Sequence, residues 1–280
     1  MFEVAEAYER QMGRWSRQLA PLLIDFVGIA DGDRVLDAGC GTGSLSMTIA
    51  RMTKAAAIVG IDASQGFVEY ARAQNFDPRV CFELGDAHNL SYPDASFDRC
   101  LSLLVVNHIA DAPKALKEMR RVTKARGVVA TAMWDGTGGN EFNDCMWNVA
   151  LMLDATVTPA SQRQGSYSSP TALSALWAGS GLTNVEVKEL TTLCEYSSFE
   201  EYWHRFLESQ GPAGAYVVGL PEDRRAALEE QLRRNILGND ADKAFALRAK
   251  AWAVKGLVPD KSAGNLFYLP KSESTKGAPR

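Results

Sequence analysis

Three closely spaced glycines directly follow a short strand-like run, Val35–Ala38. They are Gly39, Gly41 and Gly43, and a segment with helical spacing of apolar side chains, Ser44–Met52, comes after them. Glycine permits a tight turn, and its missing Cβ lets a ligand approach the backbone closely. A strand, a glycine loop and a helix in this order predict a ligand at the loop, although such glycines often form only a turn.

An acidic residue ends the next apolar run. Asp62 follows Ile58–Ile61, about twenty residues beyond the loop, where a carboxylate in an open parallel sheet can accept hydrogen bonds from two ribose hydroxyls. The alternative is a solvated acidic residue at a strand end. The spacing favours the ribose and therefore a nucleoside-containing cofactor.

The spacing of the glycines distinguishes between two kinds of nucleoside-containing cofactor, those with a pyrophosphate and those without phosphates. A dinucleotide fingerprint requires G-x-G-x-x-G, because the loop and the helix N-terminus receive a pyrophosphate. Here the glycines read G-x-G-x-G, Ser44 takes the place of the last fingerprint glycine, and Asp37 precedes the loop. This pattern favours a cofactor without phosphates. S-adenosylmethionine fits, because it consists of an amino acid end, a sulfonium and adenosine.

The elements that must hold these residues alternate between strands and helices from about Asp33 to Asp135, which predicts a parallel sheet with crossover helices. The predicted strands are Arg34–Asp37, Ala57–Asp62, Val80–Leu84, Asp98–Leu104 and Gly127–Met133. The predicted helices between them are Ser44–Met52, Gln65–Gln74 and Pro113–Thr123.

The alternation stops at a glycine-rich break, Gly136–Asn140. Helical spacing, start signals and stop signals then predict further helices at Phe142–Leu153, from Pro170 to about Gly179, at Phe199–Phe206 and between Pro221 and Gly238. Two more strands are predicted at Val185–Leu193 and Leu247–Val254, and the polar tail is left unassigned. We therefore expect a helical cover and cofactor-binding core over residues 1–135, completion of the sheet with a helical substrate cap over 136–258, and a tail over 259–280.

Composition excludes several classes of protein. The 280 residues are 46% hydrophobic and carry a net charge of −4, so they offer no basic surface for nucleic acid. No apolar run reaches the roughly 20 residues that span a bilayer, and the N-terminus has no signal-peptide pattern. The five cysteines are scattered without a CxxC pair, which is typical of reduced residues in a cytoplasmic protein and predicts no metal site.

Five segments resemble, in order and separation, the motifs of class I methyltransferases. They are Val35–Gly43 for the first motif, Val59–Ser64 for the second, Gly85–Ala87 for the third, Phe97–Leu103 for the fourth strand and Ala115–Gly127 for the helix and turn before the fifth. The similarity covers Tyr8 to Asp135 and is greatest to the type 11 group, which resembles ubiquinone and menaquinone biosynthesis enzymes. One departure is Asn107-His108, where that group often has two histidines.

The resemblance implies an α/β, Rossmann-like fold whose seven-stranded, mostly parallel sheet has helices on both faces, an antiparallel last strand and a late helical insertion. It also implies methyl transfer from S-adenosylmethionine to an unidentified small-molecule acceptor by in-line displacement. Asp86 would reach the adenine amino group, and Ala87 would contact the ring. The implied cofactor-binding residues are Asp37, Gly39, Cys40, Gly41, Gly43, Asp62, Ala63, Asp86, Ala87 and Leu103.

In the family, an N-terminal helix folds over the cofactor, and here Tyr8 and Arg17 are the candidates to hold the methionine carboxylate. A guanidinium can grip a carboxylate through two hydrogen bonds. Packing of Trp15 and Met12 onto the sheet, with solvated arginines, explains the same segment.

The acceptor site is assigned to four residues. His108 follows the fourth strand, where open parallel sheets bind ligands, and it is the candidate base. Asn107 beside it either orients the acceptor or caps a turn. Tyr167 and Trp203 belong to an aromatic-rich region that could line an apolar pocket, although aromatic residues at helical spacing usually form core.

Two other functions remain open. A nicotinamide-dependent oxidoreductase is disfavoured by Ser44 and by the lack of a Tyr-x-x-x-Lys pattern after the fifth predicted strand. A catalytically silent protein that binds S-adenosylmethionine or S-adenosylhomocysteine would carry the same motifs. The oligomeric state is also left open, with a homodimer as one arrangement.

Overall fold

The computed structural model describes residues 5–6, 8–157, 167–208 and 211–260, and these residues form one seven-stranded sheet with nine α-helices. The strands are β1 (Arg34–Ala38), β2 (Ala57–Asp62), β3 (Val80–Leu84), β4 (Phe97–Leu103), β5 (Thr123–Trp134), β6 (Thr183–Tyr196) and β7 (Phe245–Leu257).

The helices before β5 include the three predicted crossover helices. They are α1 (Arg14–Val27), which follows a π-helical turn at Glu9–Gly13, then α2 (Ser44–Met52), α3 (Gln65–Gln74) and α4 (Ala112–Val122). After β5 come α5 (Glu141–Leu153), α6 (Pro170–Gly179), α7 (Phe199–Leu207), α8 (Gly211–Val218) and α9 (Glu222–Leu237).

The strand order is β3-β2-β1-β4-β5-β7-β6. The first five strands pair in parallel, whereas β7 lies antiparallel between β5 and β6. The predicted seven-stranded, mostly parallel sheet with an antiparallel last strand is therefore confirmed. The chain order reverses between β1 and β4, and open α/β sheets bind ligands at the carboxyl ends of the strands beside such a point.

Several element boundaries differ from the predictions. Strand β4 ends before Leu104, whose φ of 63° takes it out of the extended conformation. Strand β5 starts at Thr123 rather than Gly127, because its first residues pair with Phe97 across a register shift. Helix α8 was not predicted, since its small and apolar residues lack a helical stripe. Most of the predicted tail lies outside the described residues.

Three buried clusters organise the described chain. One lies between the sheet and helices α1, α2 and α3, and a second lies on the opposite face with α4 and α6. The third joins the start of α1 to helices α5, α7 and α9, and it contains Trp147, Tyr202 and Trp203. The region after β5 therefore has a hydrophobic core of its own, beside the strands that carry the glycine loop.

Candidate functional site

The glycine loop follows β1 and is tied to β2. The backbone N–H groups of Gly39 and Cys40 both donate to the carbonyl of Ile61 at 2.8 Å. Gly39, Gly41 and Gly43 have φ angles of 78°, 53° and 91°, which other residues rarely adopt. The loop conformation therefore depends on all three glycines.

Each glycine is required for a different additional reason. A Cβ at Gly39 would lie 2.5 Å from Val105, and one at Gly43 would lie 2.8 Å from Phe82. A Cβ at Gly41 would meet no protein atom within 4 Å. Gly41 lines a cavity of about 540 Å³, so the space above it is available to a ligand. The volume of this cavity lies within the usual range of roughly 300–1,000 Å³ for small-molecule sites.

Asp62 connects the end of β2 to the loop. Its Oδ2 accepts a hydrogen bond from the N–H of Gly41 at 2.9 Å, and its Oδ1 accepts one from the N–H of Ser64 at 2.8 Å. A carboxylate has about four acceptor positions, so two remain for other donors. Asp62 lines the cavity, where these positions can accept hydrogen bonds from a diol.

Asp37 is a fully buried carboxylate in the wall of the same cavity. Its Oδ2 accepts hydrogen bonds from the N–H and the hydroxyl of Ser46, at 3.1 and 2.7 Å. Its Oδ1 has no hydrogen-bond partner in the described chain. Burial raises the pKa of Asp37 to about 7, and the nearby carboxylate of Asp62 adds to the effect. This oxygen can therefore accept a hydrogen bond from a donor in the cavity.

Asp86 follows β3 and is held by its neighbour His88. Its Oδ1 accepts hydrogen bonds from the backbone N–H of His88 at 2.8 Å and from the ring Nδ1 at 2.7 Å. The ring Nε2 accepts from the N–H of Asp111 at 3.2 Å, which assigns the ring proton to Nδ1. The two hydrogen bonds from His88 lower the pKa of Asp86. Asp86 therefore stays ionised at the cavity wall, beside Ala87.

The N-terminal segment covers one side of the cavity. Tyr8 lines the wall, and its ring centre lies 5.5 Å from that of Phe67. Glu9 accepts hydrogen bonds from the hydroxyl of Thr42 and from the guanidinium of Arg17. Arg17 is about half exposed and pairs with Glu9, so the structure places it away from the cavity wall. The predicted grip of Arg17 on a carboxylate is not supported, because Glu9 already occupies its guanidinium.

The last residue of β4 and the residues that follow it also line the cavity. They include Leu103, Leu104 with its positive φ angle, and His108, which belongs to a short 3-10 turn. Within the described part of the chain, the imidazole of His108 makes no hydrogen bond or ion pair. It is therefore available to a molecule in the cavity.

Three residues assigned to the acceptor lie elsewhere. The side chain of Asn107 donates to the hydroxyl of Ser168 at 2.8 Å and accepts from the N–H of Tyr167 at 2.9 Å. Asn107 therefore connects Tyr167 and Ser168 to the 3-10 turn that follows β4. Trp203 is 5% exposed and packs in the third cluster. Among the described residues, none after Ala110 lines the cavity.

The remaining predicted cofactor residues have definite positions. Cys40 and Ala63 line the cavity with the residues above, whereas Gly43 packs against Phe82 outside the lining set. Other lining residues were not predicted as site residues, although Thr42 and Gly85 lie within the recognised motifs. They are Ser16, Thr42, Ser44, Leu45, Phe67, Gly85, His88, Leu104, Val105, Ile109 and Ala110.

Two negative findings apply to the described residues alone. No cluster of three or more histidine, cysteine, aspartate or glutamate side chains there has a metal-binding arrangement. No helix among them is long and apolar enough to cross a membrane. All five cysteines are free.

An open α/β sheet with a ligand cavity beside its switch point defines a broad class of ligand-binding folds. Comparison with known proteins narrows this class. Residues 36–131 match the family described as "Methyltransferase domain". Residues 36–131 are therefore similar to a methyltransferase domain of the type 11 kind, as the motifs predicted.

Two curated relatives are similar to part of the chain. The chain is 37% identical over 121 residues to a malonyl-[acyl-carrier protein] O-methyltransferase of Erwinia pyrifoliae, covering 42% of this chain and 44% of the relative. It is 35% identical over 109 residues to the ubiquinone/menaquinone biosynthesis C-methyltransferase UbiE of Bdellovibrio bacteriovorus, covering 38% of this chain and 46% of the relative. The chain thus spans less than half the length of these relatives.

The solved structures are similar over more of the chain. A phosphoethanolamine N-methyltransferase 2 of Haemonchus contortus, in complex with phosphomonomethylethanolamine and S-adenosylhomocysteine, has a TM-score of 0.56 and 17% sequence identity. The similarity covers 93% of this chain and 58% of that chain. It extends the shared fold beyond the matched domain.

Proposed function

We propose that this protein transfers a methyl group from S-adenosylmethionine to a small-molecule acceptor. One observation carries the proposal: all residues that line the cavity, except Tyr8 and Ser16, lie within the matched methyltransferase domain. The cavity therefore belongs to the part of the chain that resembles enzymes of this class.

The cavity wall offers a partner for each polar part of the cofactor. Asp62 has free acceptor positions for the two ribose hydroxyls, and Asp86 is ionised where the adenine amino group is expected. The unpaired oxygen of Asp37 suits the amino group of the methionine end. Gly41 leaves room for close approach. When bound, S-adenosylmethionine supplies an activated methyl group on a sulfonium.

The residues after β4 are proposed to hold the acceptor. Because the leaving group is already activated, the protein mainly has to align the acceptor with the methyl group and exclude water. His108 is placed to take a proton from an acceptor that must lose one. Leu104 and Ile109 provide apolar walls beside it.

The proposal also covers the acceptor, the oligomeric state and the cellular location of the protein. By their names, the relatives above methylate oxygen in one case and carbon in the other, so they do not define the acceptor of this chain. The net charge of −4 argues against a nucleic-acid substrate, and five free cysteines are consistent with a cytoplasmic location. Light scattering on the purified protein distinguishes a homodimer from a monomer.

Calorimetry with S-adenosylmethionine, S-adenosylhomocysteine and NADH tests the cofactor. We expect the first two to bind and NADH not to bind, whereas the reverse would identify a nicotinamide enzyme. Turnover of a labelled methyl group across a panel of small hydroxyl, amine and carbon acceptors tests catalysis. Binding without methyl transfer to any acceptor would instead indicate a silent cofactor-binding protein.

A further inference from the structure

A two-ended amide bridge holds the turn that carries His108. The side chain of Asn107 donates to the hydroxyl of Ser168 at 2.8 Å and accepts a hydrogen bond from the N–H of Tyr167 at 2.9 Å. These partners lie 61 and 60 residues further along the chain. Asn107 does not line the cofactor cavity, and the function proposed above makes no use of it.

The imidazole of His108 has no comparable support of its own. It lines the cavity, and in the described part of the chain it makes no hydrogen bond or ion pair. The backbone of the turn therefore sets its position. A 3-10 turn has poorer hydrogen-bond geometry than an α-helix, and here the N–H of Ile109 reaches the carbonyl of Val106 only at 3.4 Å. Such a short turn depends on contacts from outside it.

The far end of the bridge is attached to the sheet. The carbonyl of Ser168 accepts a hydrogen bond from the N–H of Gly136, directly after β5, at 2.8 Å. Helix α6 begins shortly afterwards, and its fully buried Trp177 donates from Nε1 to the carbonyl of Val129 in β5 at 2.9 Å. The bridge therefore fixes the turn after β4 to a segment that β5 holds in place.

We propose that Asn107 is a positioning residue for His108. Its amide fixes the 3-10 turn against Tyr167 and Ser168, and it thereby holds the imidazole at one place in the cavity. Both the oxygen and the nitrogen of the amide are engaged with this segment, so Asn107 acts through the turn rather than on the acceptor. The inference rests on the proposed function for the use of His108 as a base, whereas the positioning is testable without methyl transfer.

Nuclear magnetic resonance of the imidazole ring protons tests the positioning in the full, ligand-free chain. The protein has three histidines, and His108→Gln assigns the His108 signal by its loss. We expect one narrow His108 signal in the wild type and a shifted, broadened or divided signal in Asn107→Ala, because the freed turn samples several conformations. The signals of His88 and His204 should not change, which separates a local effect from loss of the fold.

Asn75→Ala is the matched control. The side chain of Asn75 also forms a two-ended bridge, since it donates to the carbonyl of Val80 at 2.8 Å and accepts from the N–H of Asp77 at 3.0 Å. It does not line the cofactor cavity. This variant should leave the His108 signal unchanged.

Two further variants test the bridge itself. Ser168→Ala removes one end and should change the His108 signal less than Asn107→Ala does, and it replaces that variant if Asn107→Ala does not fold. Asn107→Asp keeps an acceptor for the N–H of Tyr167, and the hydroxyl of Ser168 can turn to donate to it. It should therefore restore a single narrow signal.

Catalysis gives a second readout with any acceptor that must lose a proton. Asn107→Ala should lower kcat roughly ten- to a hundredfold, the scale expected for a misplaced base, with an unchanged KM for S-adenosylmethionine. Asn107→Asp should recover most of the loss. In a His108→Gln background, Asn107→Ala should cause no further loss, because its effect passes through His108.

An unchanged His108 signal in Asn107→Ala, an equal change in Asn75→Ala, or additive losses of kcat in the double variant would each overturn the proposal. If no acceptor is methylated, the proposed function fails, and the His108 signal still decides whether Asn107 positions the imidazole.

Discussion

The backbone N–H of Gly41 donates to the carboxylate of Asp62 at 2.9 Å, so the glycine loop and the end of β2 form one unit. The loop owes its position to the same carboxylate that is expected to bind the ribose. Asp62 therefore has two roles, one in the shape of the loop and one toward the ligand.

Replacing Asp62 with alanine should weaken binding of S-adenosylmethionine by about 1.5–3 kcal/mol, roughly ten- to a hundredfold, through loss of a charge-assisted contact. Calorimetry measures this change. Asp31→Ala, at a largely exposed carboxylate, is the control. Unchanged cofactor affinity in Asp62→Ala would remove the ribose assignment.

Gly41→Val should abolish cofactor binding in a folded protein, because the new side chain would enter the cavity. Gly28→Val is a matched control. Both glycines have positive φ angles, and a Cβ at either position would meet no protein atom within 4 Å, but only Gly41 lines the cavity. Comparable melting temperatures with binding lost only in Gly41→Val would separate ligand clash from backbone strain. If Gly41→Val binds normally, the loop does not approach the ligand.

Cofactor affinity should rise with pH up to about 7, because the ionised form of Asp37 is the one that attracts an ammonium group. Binding at pH 6 should therefore release a proton, which calorimetry in buffers of different ionisation enthalpy detects. Asp37→Asn should weaken binding and flatten this pH profile. A wild-type profile without slope between pH 5 and 8, a window on either side of that pKa, would contradict the assignment.

The same carboxyl affects folding stability in the opposite direction. Its pKa in the folded chain is raised above the unfolded value of about 3.9, so the folded state holds the proton more tightly. Its contribution to the free energy of unfolding is present below pH 4 and is lost as pH rises to about 7. Melting curves of the ligand-free wild type and of Asp37→Asn, measured across this pH range, test this effect. The wild type should lose this part of its stability as pH rises, whereas Asp37→Asn should not.

His88→Ala should weaken cofactor binding roughly three- to tenfold, because Asp86 loses the Nδ1 hydrogen bond that orients it. His204→Ala, at an exposed histidine on α7 that does not line the cofactor cavity, is the control. Adenosine binding should fall to the same degree, since the contact involves the adenine. Equal effects of the two variants would contradict a specific role for His88.

The parts of the fold that repeat a simple pattern were predictable. The bounds of α2 and α3 agree with the prediction, because each helix lies between two short apolar strands that were themselves predicted. The start of β5 was missed because residues 123–126 have no strand pattern and pair only across a register shift. That pairing depends on a distant strand, which local sequence does not report.

The site was predictable where chemistry requires a particular residue. Gly41, Asp62 and Asp86 all line the cavity. They could be predicted because a bound ligand restricts which residue types are possible at such positions. Arg17 was assigned to a carboxylate, but its partner in the structure is Glu9, eight residues earlier. A guanidinium suits either partner equally, so only the three-dimensional arrangement distinguishes them.

The aromatic residues after β5 were expected to roof the site, yet Trp203 is buried in the third cluster. Trp203→Ala should therefore cost about 3–5 kcal/mol of stability while leaving cofactor affinity intact. Thermal unfolding and calorimetry measure the two quantities. Met152→Ala, at an exposed position on α5, is the control.

The N-terminal segment borders two cavities. Ser16 lines the cofactor cavity, whereas its neighbours Arg14 and Trp15 line a second cavity of about 470 Å³ beside the end of β6 and one side of α7. The two sites are therefore linked through a single turn of backbone. A molecule that shifts this turn on binding at one site changes the affinity of the other site, and thermodynamic reciprocity requires the same factor in both directions.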